Sequence, residues 1–290
     1  MASVFSSSSI PVSALTATPP AAFWTDACFN AMVDYYDYFR RADATSMALA
    51  CRQERSALEH CSAAIYASEW AAAAARRLHP PAASKIHVVP FGANLDPRYD
   101  REKVHALIDA RPADKCSLLF VGVDWIRKGG PIALETARLL NASGLETTLT
   151  IVGCDPFGAK PPPAFVDVRK FLSLKRSSDR QTLCDLFSTS DFLIVPSRAE
   201  AFGIVFCEAA AFGVPAVATA TGGIPTIVTD SINGLLLAPS ANAGDYAVAI
   251  RKVFNDRGRY MDMARAAYEN YAARLNWRIA AAAVSRIIDK

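Results

Sequence analysis

The sequence lacks the features of several large protein classes. No apolar run approaches the ~18–20 residues that a membrane-spanning helix needs, and the alanine-rich stretch 62–75 is interrupted by Glu69. No basic residue precedes Arg40, so neither the charged start of a signal peptide nor the arginines of a transit peptide are present. We therefore expect a cytoplasmic protein without a transmembrane segment, which leaves peripheral membrane contact open.

Cysteine pairs, strong net charge and the common nucleotide motifs are also missing. The seven cysteines contain no C-x-x-C pair, which predicts buried thiols in a reducing compartment instead of disulfides or a zinc site. A net charge of +3 is too small to indicate a nucleic-acid partner. Because neither G-x-G-x-x-G nor G-x-x-x-x-G-K-[ST] occurs, a dinucleotide dehydrogenase is disfavoured and a P-loop is excluded.

From about residue 116, the chain alternates apolar runs with helical segments. "CSLLFVGVD" is a continuous apolar run, and the segment after it has Pro131 at its start and Gly144 at its end, as helices prefer. Further strands are predicted at "TLTIVGCD", "DFLIVPS", "VPAVATA" and "NGLLLAP", with helices between them and near Ala243–Phe254 and Met261–Ala273. This order predicts an α/β fold with a parallel sheet.

The first hundred residues contain fewer elements of the same kind. Short strands are predicted at "SVFSSS", "PAAFWTDA", "AAIYAS" and "KIHVVPFG", together with a helix near Thr45–His60 and another capped by Ser68. This part resembles the later half of an α/β domain. We therefore predict a partial domain over 1–109 and a complete one over 110–272.

Three glycine-bearing loops follow predicted strands of the second domain: "GVDWIRKGG", "SRAEAFGIVF" and "ATGGIPT". Ligands of parallel sheets bind beyond the carboxyl ends of the strands, and glycine lets backbone N–H groups approach phosphate or hydroxyl oxygens. Arg127 and Lys128 add cations where a diphosphate would lie. Each loop alone is weak evidence, but the three together predict a ligand site at one sheet edge.

Two acids enclose a Phe-Gly step in "EAFGIVFCE". Glu200 is predicted in a loop, and Glu208 about one turn inside the next helix. Amides that donate to sugar oxygens, beside carboxylates that accept from hydroxyls, suit a nucleotide-sugar ligand. The alternative interpretation is that both glutamates are solvated surface charges.

The motifs "FVGVDWIRKGG", "LTIVG", "PSRAEAFGIVFCEAAAFGVPAVATATGGIPTIV" and "NGLLLAP", in this order, resemble the donor-binding domain of retaining GT-B glycosyltransferases of the group 1, family four type. Their E-x7-E element is typical of that family. The earlier "PAAFWTDACFNAMVDYY", "YASEWAA" and "HVVPFGANLD" resemble the end of the family's N-terminal domain and its linker. The resemblance implies a GT-B-like fold with two Rossmann-like domains, of which the N-terminal one is incomplete, and a final helix over 273–290 that crosses back to it.

The resemblance also implies a role for each matching residue. Glu208 would accept from the ribose hydroxyls, and Lys128 would neutralise the diphosphate. Glu200, with the backbone of Phe202, Gly203 and Ile204, would hold the transferred sugar.

Other positions match the family less closely. Many members have Gly-Arg after the first strand of this domain, whereas this chain has Gly122-Val123, and Arg127 is the candidate for the missing charge. Gly222 and Gly223 would line the phosphate side. The base would be approached by Phe171, which follows Lys170 where many members have glycine.

The activity that the resemblance implies is transfer of a sugar from a nucleotide-diphosphate sugar to a carbohydrate or lipid-linked acceptor, with retention of configuration. D-x-D is absent, so we expect no metal and no cofactor. The family's acceptor-side glycine-rich loop and sugar-contacting histidine have no counterpart, and the four histidines are predicted to be structural or surface residues. Two alternatives stay open: a catalytically impaired or split-enzyme nucleotide-sugar-binding subunit, and a GT-B sugar-nucleotide epimerase or hydrolase.

Overall fold

Two parallel sheets organise the chain in the computed structural model, which describes residues 4–15, 20–33, 35–95 and 99–289. The first sheet has the strand order β1-β2-β3-β4 and the second has the order β10-β9-β8-β5-β6-β7. The strands are β1 (Val4–Ser6), β2 (Ala21–Thr25), β3 (Ala63–Tyr66), β4 (Ile86–Val88), β5 (Cys116–Val121), β6 (Thr147–Val152), β7 (Val166–Arg169), β8 (Phe192–Val195), β9 (Ala216–Thr219) and β10 (Gly234–Leu237).

Helices connect the strands, as the crossover between parallel strands requires. They are α1 (Ser9–Ser13), α2 (Phe29–Val33), α3 (Ala44–His60), α4 (Glu69–Leu78), α5 (Arg101–Asp109), α6 (Gly130–Ala142), α7 (Ser177–Thr189), α8 (Ile204–Ala211), α9 (Ile224–Ile227), α10 (Ala243–Phe254), α11 (Arg257–Arg274) and α12 (Trp277–Ile288). Short 3-10 turns lie at Asp37–Arg41 and Pro80–Lys85.

Local chemistry explains where the helices begin and where sequence reasoning was wrong. The Ser68 side chain accepts from the backbone N–H of Ala71, which confirms the predicted cap of α4. Helix α11 begins four residues before the predicted Met261, because the side chain of Asp256 caps it by accepting from Arg259 N–H. Strand β7 was not predicted, since its four residues Val-Asp-Val-Arg lie on the sheet edge and lack a buried apolar run.

Both faces of the second sheet are covered. Leu119 and Val195 pack in a cluster on one face together with Phe206 of α8. Phe120 and Ile194, their chain neighbours, pack in a cluster on the opposite face. Successive strand residues point to opposite faces, so continuous apolar runs are needed here, as the sequence predicted.

The helices at the two junctions cross between the sheets. Val104 and Ile108 of α5 are buried in the core of the second sheet, although their sequence precedes it. In the other direction, Ala280 and Val284 of α12 pack against the first sheet at Ile65. The chain therefore enters the core of the second sheet at α5, before β5 begins, and returns to the first sheet with α12.

None of the helices in the described ranges combines the length and the apolar character needed to cross a membrane.

Candidate functional site

The three predicted loops meet at one edge of the second sheet. Strands β9, β8 and β5 are neighbours in the sheet order, and all are parallel. Their carboxyl ends therefore point the same way, and the loops that follow them lie side by side. The loops after β5 and β8, together with two residues of the first half, surround a pocket of about 430 Å³. It is lined by Asp26, Phe91, Val121, Gly122, Val123, Arg127, Lys128, Glu200, Phe202, Gly203, Ile204 and Val205.

The loop after β5 folds back so that its cations face this pocket. Lys128 N–H donates to the Asp124 carbonyl at 3.0 Å, which closes a helical turn. The next residue, Gly129, has φ +76°, and a Cβ there would lie 1.9 Å from the carbonyl oxygen of Pro196. Only glycine allows this close approach of the β5 and β8 loops. Gly122, earlier in the same loop, packs against the Lys128 side chain.

Glu200 and Lys128 form an ion pair inside the pocket, between Glu200 Oε2 and Lys128 Nζ. Their side chains are only 11% and 13% exposed, so little water competes for either charge. Arg127 Nη1 lies 3.9 Å from the same carboxylate oxygen and donates to the Ala199 carbonyl at 2.9 Å. Arg127 Nε also forms an ion pair with Asp124 Oδ2 at 3.2 Å, which holds its guanidinium against the loop that follows β5.

The start of helix α8 presents free donors to the same space. Gly203 caps the helix with φ +92°. In the described part of the chain, no hydrogen bond is made by the backbone N–H groups of Phe202, Gly203, Ile204 or Val205. All four residues line the pocket, as Glu200 does. A helix N-terminus with unpaired N–H groups attracts oxygen ligands that carry negative charge.

Glu208 lies one turn further along α8, and it is not among the lining residues of this pocket. Burial raises the pKa of its carboxyl from 4.5 to about 7, although backbone N–H groups of Leu95 and Asn94 partly oppose this shift by hydrogen bonding. Those two residues belong to the segment that follows β4. The structure therefore separates the two glutamates, with Glu200 in the pocket and Glu208 at the junction between the two halves.

Three other predicted residues lie outside the lining of the pocket. Gly222 and Gly223 pack behind it, where a Cβ would lie 2.0 Å from the Glu200 carbonyl oxygen and 2.1 Å from that of Ala201, respectively. Their contacts are thus with the backbone of the Glu200 loop. Phe171 follows β7 and is 60% exposed.

Sequence reasoning missed two lining residues that come from the first half of the chain. Asp26 follows β2 directly, and burial, followed by the charge of Glu200, raises the pKa of its carboxyl. Phe91 follows β4, and its ring meets that of Phe202 at 5.4 Å. The sequence analysis selected loops by their glycines, and none follows β2; a search for polar residues just after a parallel strand would have selected Asp26.

None of the four histidines lines this pocket. His79 is buried beneath α4, and His105 lies 3.8 Å from Glu269 on the surface of α5. Within the described ranges, no group of three or more His, Cys, Asp or Glu side chains is arranged to hold a metal ion.

These features define an α/β protein with two parallel sheets and a ligand pocket at the carboxyl ends of the second. The family model of glycosyl transferases group 1 matches residues 108–270, more than half of the chain. The chain belongs to this family. The matched region contains the loops after β5, β8 and β9.

Two curated relatives are similar in sequence to about two thirds or more of this chain. D-inositol 3-phosphate glycosyltransferase 2 from Catenulispora acidiphila is 29% identical over 234 residues, which cover 74% of this chain and 52% of the relative. D-inositol 3-phosphate glycosyltransferase from Rhodococcus jostii is 30% identical over 208 residues, which cover 67% of this chain and 45% of the relative. The chain thus spans about half the length of these curated relatives.

Solved structures resemble the fold. Sucrose-phosphate synthase from Thermosynechococcus elongatus matches with a TM-score of 0.70 at 24% identity, over 94% of this chain and 68% of that protein. HepE from Anabaena, solved in complex with UDP-glucose, matches with a TM-score of 0.64 at 18% identity, over 93% of this chain and 72% of that protein. The predicted GT-B-like α/β fold is confirmed.

Proposed function

We propose that the chain transfers a sugar from a nucleotide-diphosphate sugar to an acceptor, with retention of anomeric configuration. The observation that carries this proposal is the pairing of Lys128 with Glu200 beside the free N–H groups of α8 in one pocket. A cation suits a diphosphate, and a carboxylate beside N–H donors suits sugar hydroxyls. Membership of the group 1 family supports the same activity.

Each predicted site residue has a role in this proposal. Lys128, aided by Arg127, binds the diphosphate. Glu200 and the backbone of 202–204 bind the transferred sugar, with Gly122 leaving room beside Lys128. Glu208 binds the ribose.

The remaining assignments concern the edges of the donor site. Gly222 and Gly223 support the phosphate side through the backbone of the Glu200 loop. Phe171, exposed after β7, is free to cover the base.

In the proposed mechanism, the bond between the anomeric carbon and the diphosphate oxygen breaks first, and its electron pair leaves with the diphosphate. The sugar then has oxocarbenium character. Lys128 and the N–H groups of α8 stabilise the negative charge that develops on the leaving group. The acceptor hydroxyl attacks the same face of the sugar, and its proton passes to the departing phosphate oxygen, which gives retention without a metal or cofactor.

A covalent route through Glu200 fits the pocket less well. A nucleophilic carboxylate needs an acid partner on the other side of the scissile bond. Oε2 of Glu200 is held by Lys128, with Arg127 nearby, so its charge is already directed toward cations. We therefore assign Glu200 to sugar binding.

The acceptor is proposed to be a carbohydrate-like compound with several hydroxyl groups, or a lipid-linked one. The curated relatives are named for D-inositol 3-phosphate, which favours the first class.

We propose that the protein works in the cytoplasm, without nucleic acid. Its N-terminal domain would supply the acceptor side, with residues 273–290 joining it again. Since α5 packs in the second core, we place the start of the donor domain before α5.

Sugar-nucleotide hydrolysis or epimerisation is the second candidate, because such chemistry needs an acid–base group of its own in the cleft. Asp26 is the observation that favours it, since its carboxyl lines the pocket and has a raised pKa. Loss of water-dependent sugar release in Asp26→Asn, with no transfer to any acceptor by the wild type, would favour this candidate over a transferase. A non-catalytic binding subunit would show neither reaction.

Calorimetry with uridine and guanosine diphosphates, each with and without a chelator, tests the proposal. We expect one diphosphate to bind equally well in both conditions. Failure of both to bind, or binding abolished by the chelator, would contradict it.

A further inference from the structure

The backbone of the Glu200 loop is held by two tyrosines from the first half of the chain. The Tyr35 hydroxyl accepts from the backbone N–H of Glu200 at 3.0 Å. The neighbouring Tyr36 hydroxyl accepts from the backbone N–H of Ala201 at 2.8 Å. Two consecutive amides of a pocket loop are therefore bound to two consecutive side chains that lie 165 residues earlier in the chain.

The carbonyl groups of the same two residues are bound as well. The Glu200 carbonyl accepts from Gly223 N–H at 3.0 Å. The Ala201 carbonyl accepts from the Ser68 hydroxyl at 3.3 Å. All four backbone polar groups of this dipeptide are thus satisfied from outside the loop, and three of the four partners are side chains of the first half. A backbone held in this way has little freedom to rotate.

The tyrosines are themselves fixed. The Tyr35 hydroxyl shares a hydrogen bond of 2.8 Å with the Thr221 hydroxyl, and its ring packs 4.7 Å from Trp70. Tyr36 is only 9% exposed and packs 5.2 Å from Tyr35, edge to face. Gly222 makes room for this arrangement, since a Cβ there would lie 2.4 Å from the Tyr35 hydroxyl.

We propose that Tyr35 and Tyr36 are positioning residues for the donor sugar: they fix the Glu200–Ala201 backbone and so determine where the Glu200 carboxylate meets the sugar. This inference rests on the proposed function, in which Glu200 contacts that sugar. The backbone N–H groups of 202–204 are available to donate to a ligand, whereas those of Glu200 and Ala201 already donate to the two tyrosine hydroxyls. Through these two hydroxyls, the first half of the chain acts on the position of Glu200 in the donor site.

Amide hydrogen exchange measured by NMR tests whether the hydroxyls hold the loop. In Tyr35→Phe, we expect exchange of the Glu200 amide to accelerate at least about tenfold, because the hydroxyl that accepts from it is removed. In Tyr36→Phe, the Ala201 amide should accelerate instead. Amides of Leu119 and Phe120 in the second sheet report whether the variants stay folded. Equal acceleration throughout the chain, or none at Glu200 and Ala201, would overturn the inference.

Tyr38→Phe is the matched control. Tyr38 is 64% exposed, and among the described residues its hydroxyl makes no hydrogen bond. Its ring packs against Tyr36 at 5.5 Å, and phenylalanine keeps that contact. Loss of the Tyr38 hydroxyl should leave both amides and all ligand affinities unchanged.

Ligand affinity then tests the positioning role. The probes are UDP and UDP-glucose, or GDP and GDP-mannose if the wild type binds guanosine diphosphate. In Tyr35→Phe, we expect the nucleotide sugar to bind about tenfold more weakly, while the free diphosphate changes by less than about twofold. An equal change for both ligands, or none for either, would overturn the positioning role. If the wild type binds no diphosphate at all, the proposed function fails and this role with it.

Discussion

The two sheets differ in the helices that cover them, although the strands of each bury aromatic side chains. The helices on the second sheet bury large groups such as Phe187 of α7 and Phe206 of α8. The first sheet is covered by α4 through four buried alanines, Ala71, Ala72, Ala74 and Ala75. Alanine allows a helix to lie close to a sheet but removes less apolar surface from water than phenylalanine. The first sheet is therefore expected to depend more on contacts with the rest of the chain.

One set of those contacts is made by the last helix of the chain, α12. Trp277, the first residue of α12, packs its ring 5.6 Å from Trp24 of β2 and 5.7 Å from Phe91. The backbone of Gly92 lies against the same residue. Loops of the second sheet supply most of the pocket lining, and the first half adds Asp26 and Phe91. The two tyrosines of the first half bind the backbone of the Glu200 loop.

The largest effect on stability is expected from Gly92→Ala, which tests this dependence. The new Cβ would lie 2.2 Å from the backbone nitrogen of Trp277, and backbone cannot move aside as a side chain can. We expect the free energy of unfolding to fall by about 3 kcal/mol. Urea denaturation followed by tryptophan fluorescence measures it.

Gly258→Ala in α11 is the control for that substitution. The nearest atom to its new Cβ is 3.6 Å away, which is ordinary contact, and alanine favours a helix. We expect a gain of about 0.5–1 kcal/mol. If Gly92→Ala were as harmless, the first sheet would not depend on α12.

Glu200→Gln should have the next largest effect, on chemistry and not on nucleotide binding. The amide loses the charge that pairs with Lys128 and would contact the sugar, so turnover should fall by about 10²-fold. Affinity for the free diphosphate should stay nearly intact. Release of nucleoside diphosphate from the nucleotide sugar measures turnover.

Glu208→Gln is the contrasting variant, since it should weaken every nucleotide ligand, including the free diphosphate. If both glutamates were solvated surface charges, neither substitution would change binding or turnover, and stability would change by less than about 0.5 kcal/mol.

Lys128→Ala should reduce affinity for ligands that contain a diphosphate by about ten- to a hundredfold, the value of one charge-assisted hydrogen bond. Affinity for the nucleoside alone should hardly change, because the nucleoside carries no phosphate. Calorimetry with both ligands makes the comparison. An equal loss for the nucleoside would mean that Lys128 acts by supporting the fold around the buried Glu200.

The smallest expected effect is a pH dependence that originates at the junction of the two halves. Glu208 has a pKa of about 7 without ligand, and ribose hydroxyls would donate to its ionised form. Nucleotide affinity should therefore rise between pH 6 and pH 8, by up to about tenfold, and then level off. Glu208→Gln should remove this rise. Calorimetry at several pH values measures it.

Stability without ligand should show the opposite trend. The folded pKa of Glu208 lies above the ordinary 4.5, so the folded chain holds the proton more tightly than the unfolded one. The contribution is complete below about pH 4.5 and is lost as the pH rises through about 7, by an amount on the order of 3 kcal/mol. The difference in unfolding free energy between wild type and Glu208→Gln should follow this course.

Sequence patterns predicted most of the strands and helices, in the order in which they follow one another along the chain. Strands buried on both faces need continuous apolar runs, and "CSLLFVGVD" and "DFLIVPS" are such runs. Helix α10 was predicted over Ala243–Phe254, and the structure has it there, with Asn242 in a capping box. Such signals are local, because a cap or a periodicity involves residues within one or two turns.

Contacts between residues far apart in the sequence are evident only in the folded structure. Nothing near Glu200 in the sequence indicates that its N–H is bound by Tyr35 or that Asp26 lines the same pocket. Helix α5 comes before the second sheet in the sequence, yet it packs in the core of that sheet, because Val104 and Ile108 are buried from water there. Such contacts depend on how the two sheets and α12 pack together. That packing is decided by the apolar surface buried over the whole chain, so no single position in the sequence indicates it.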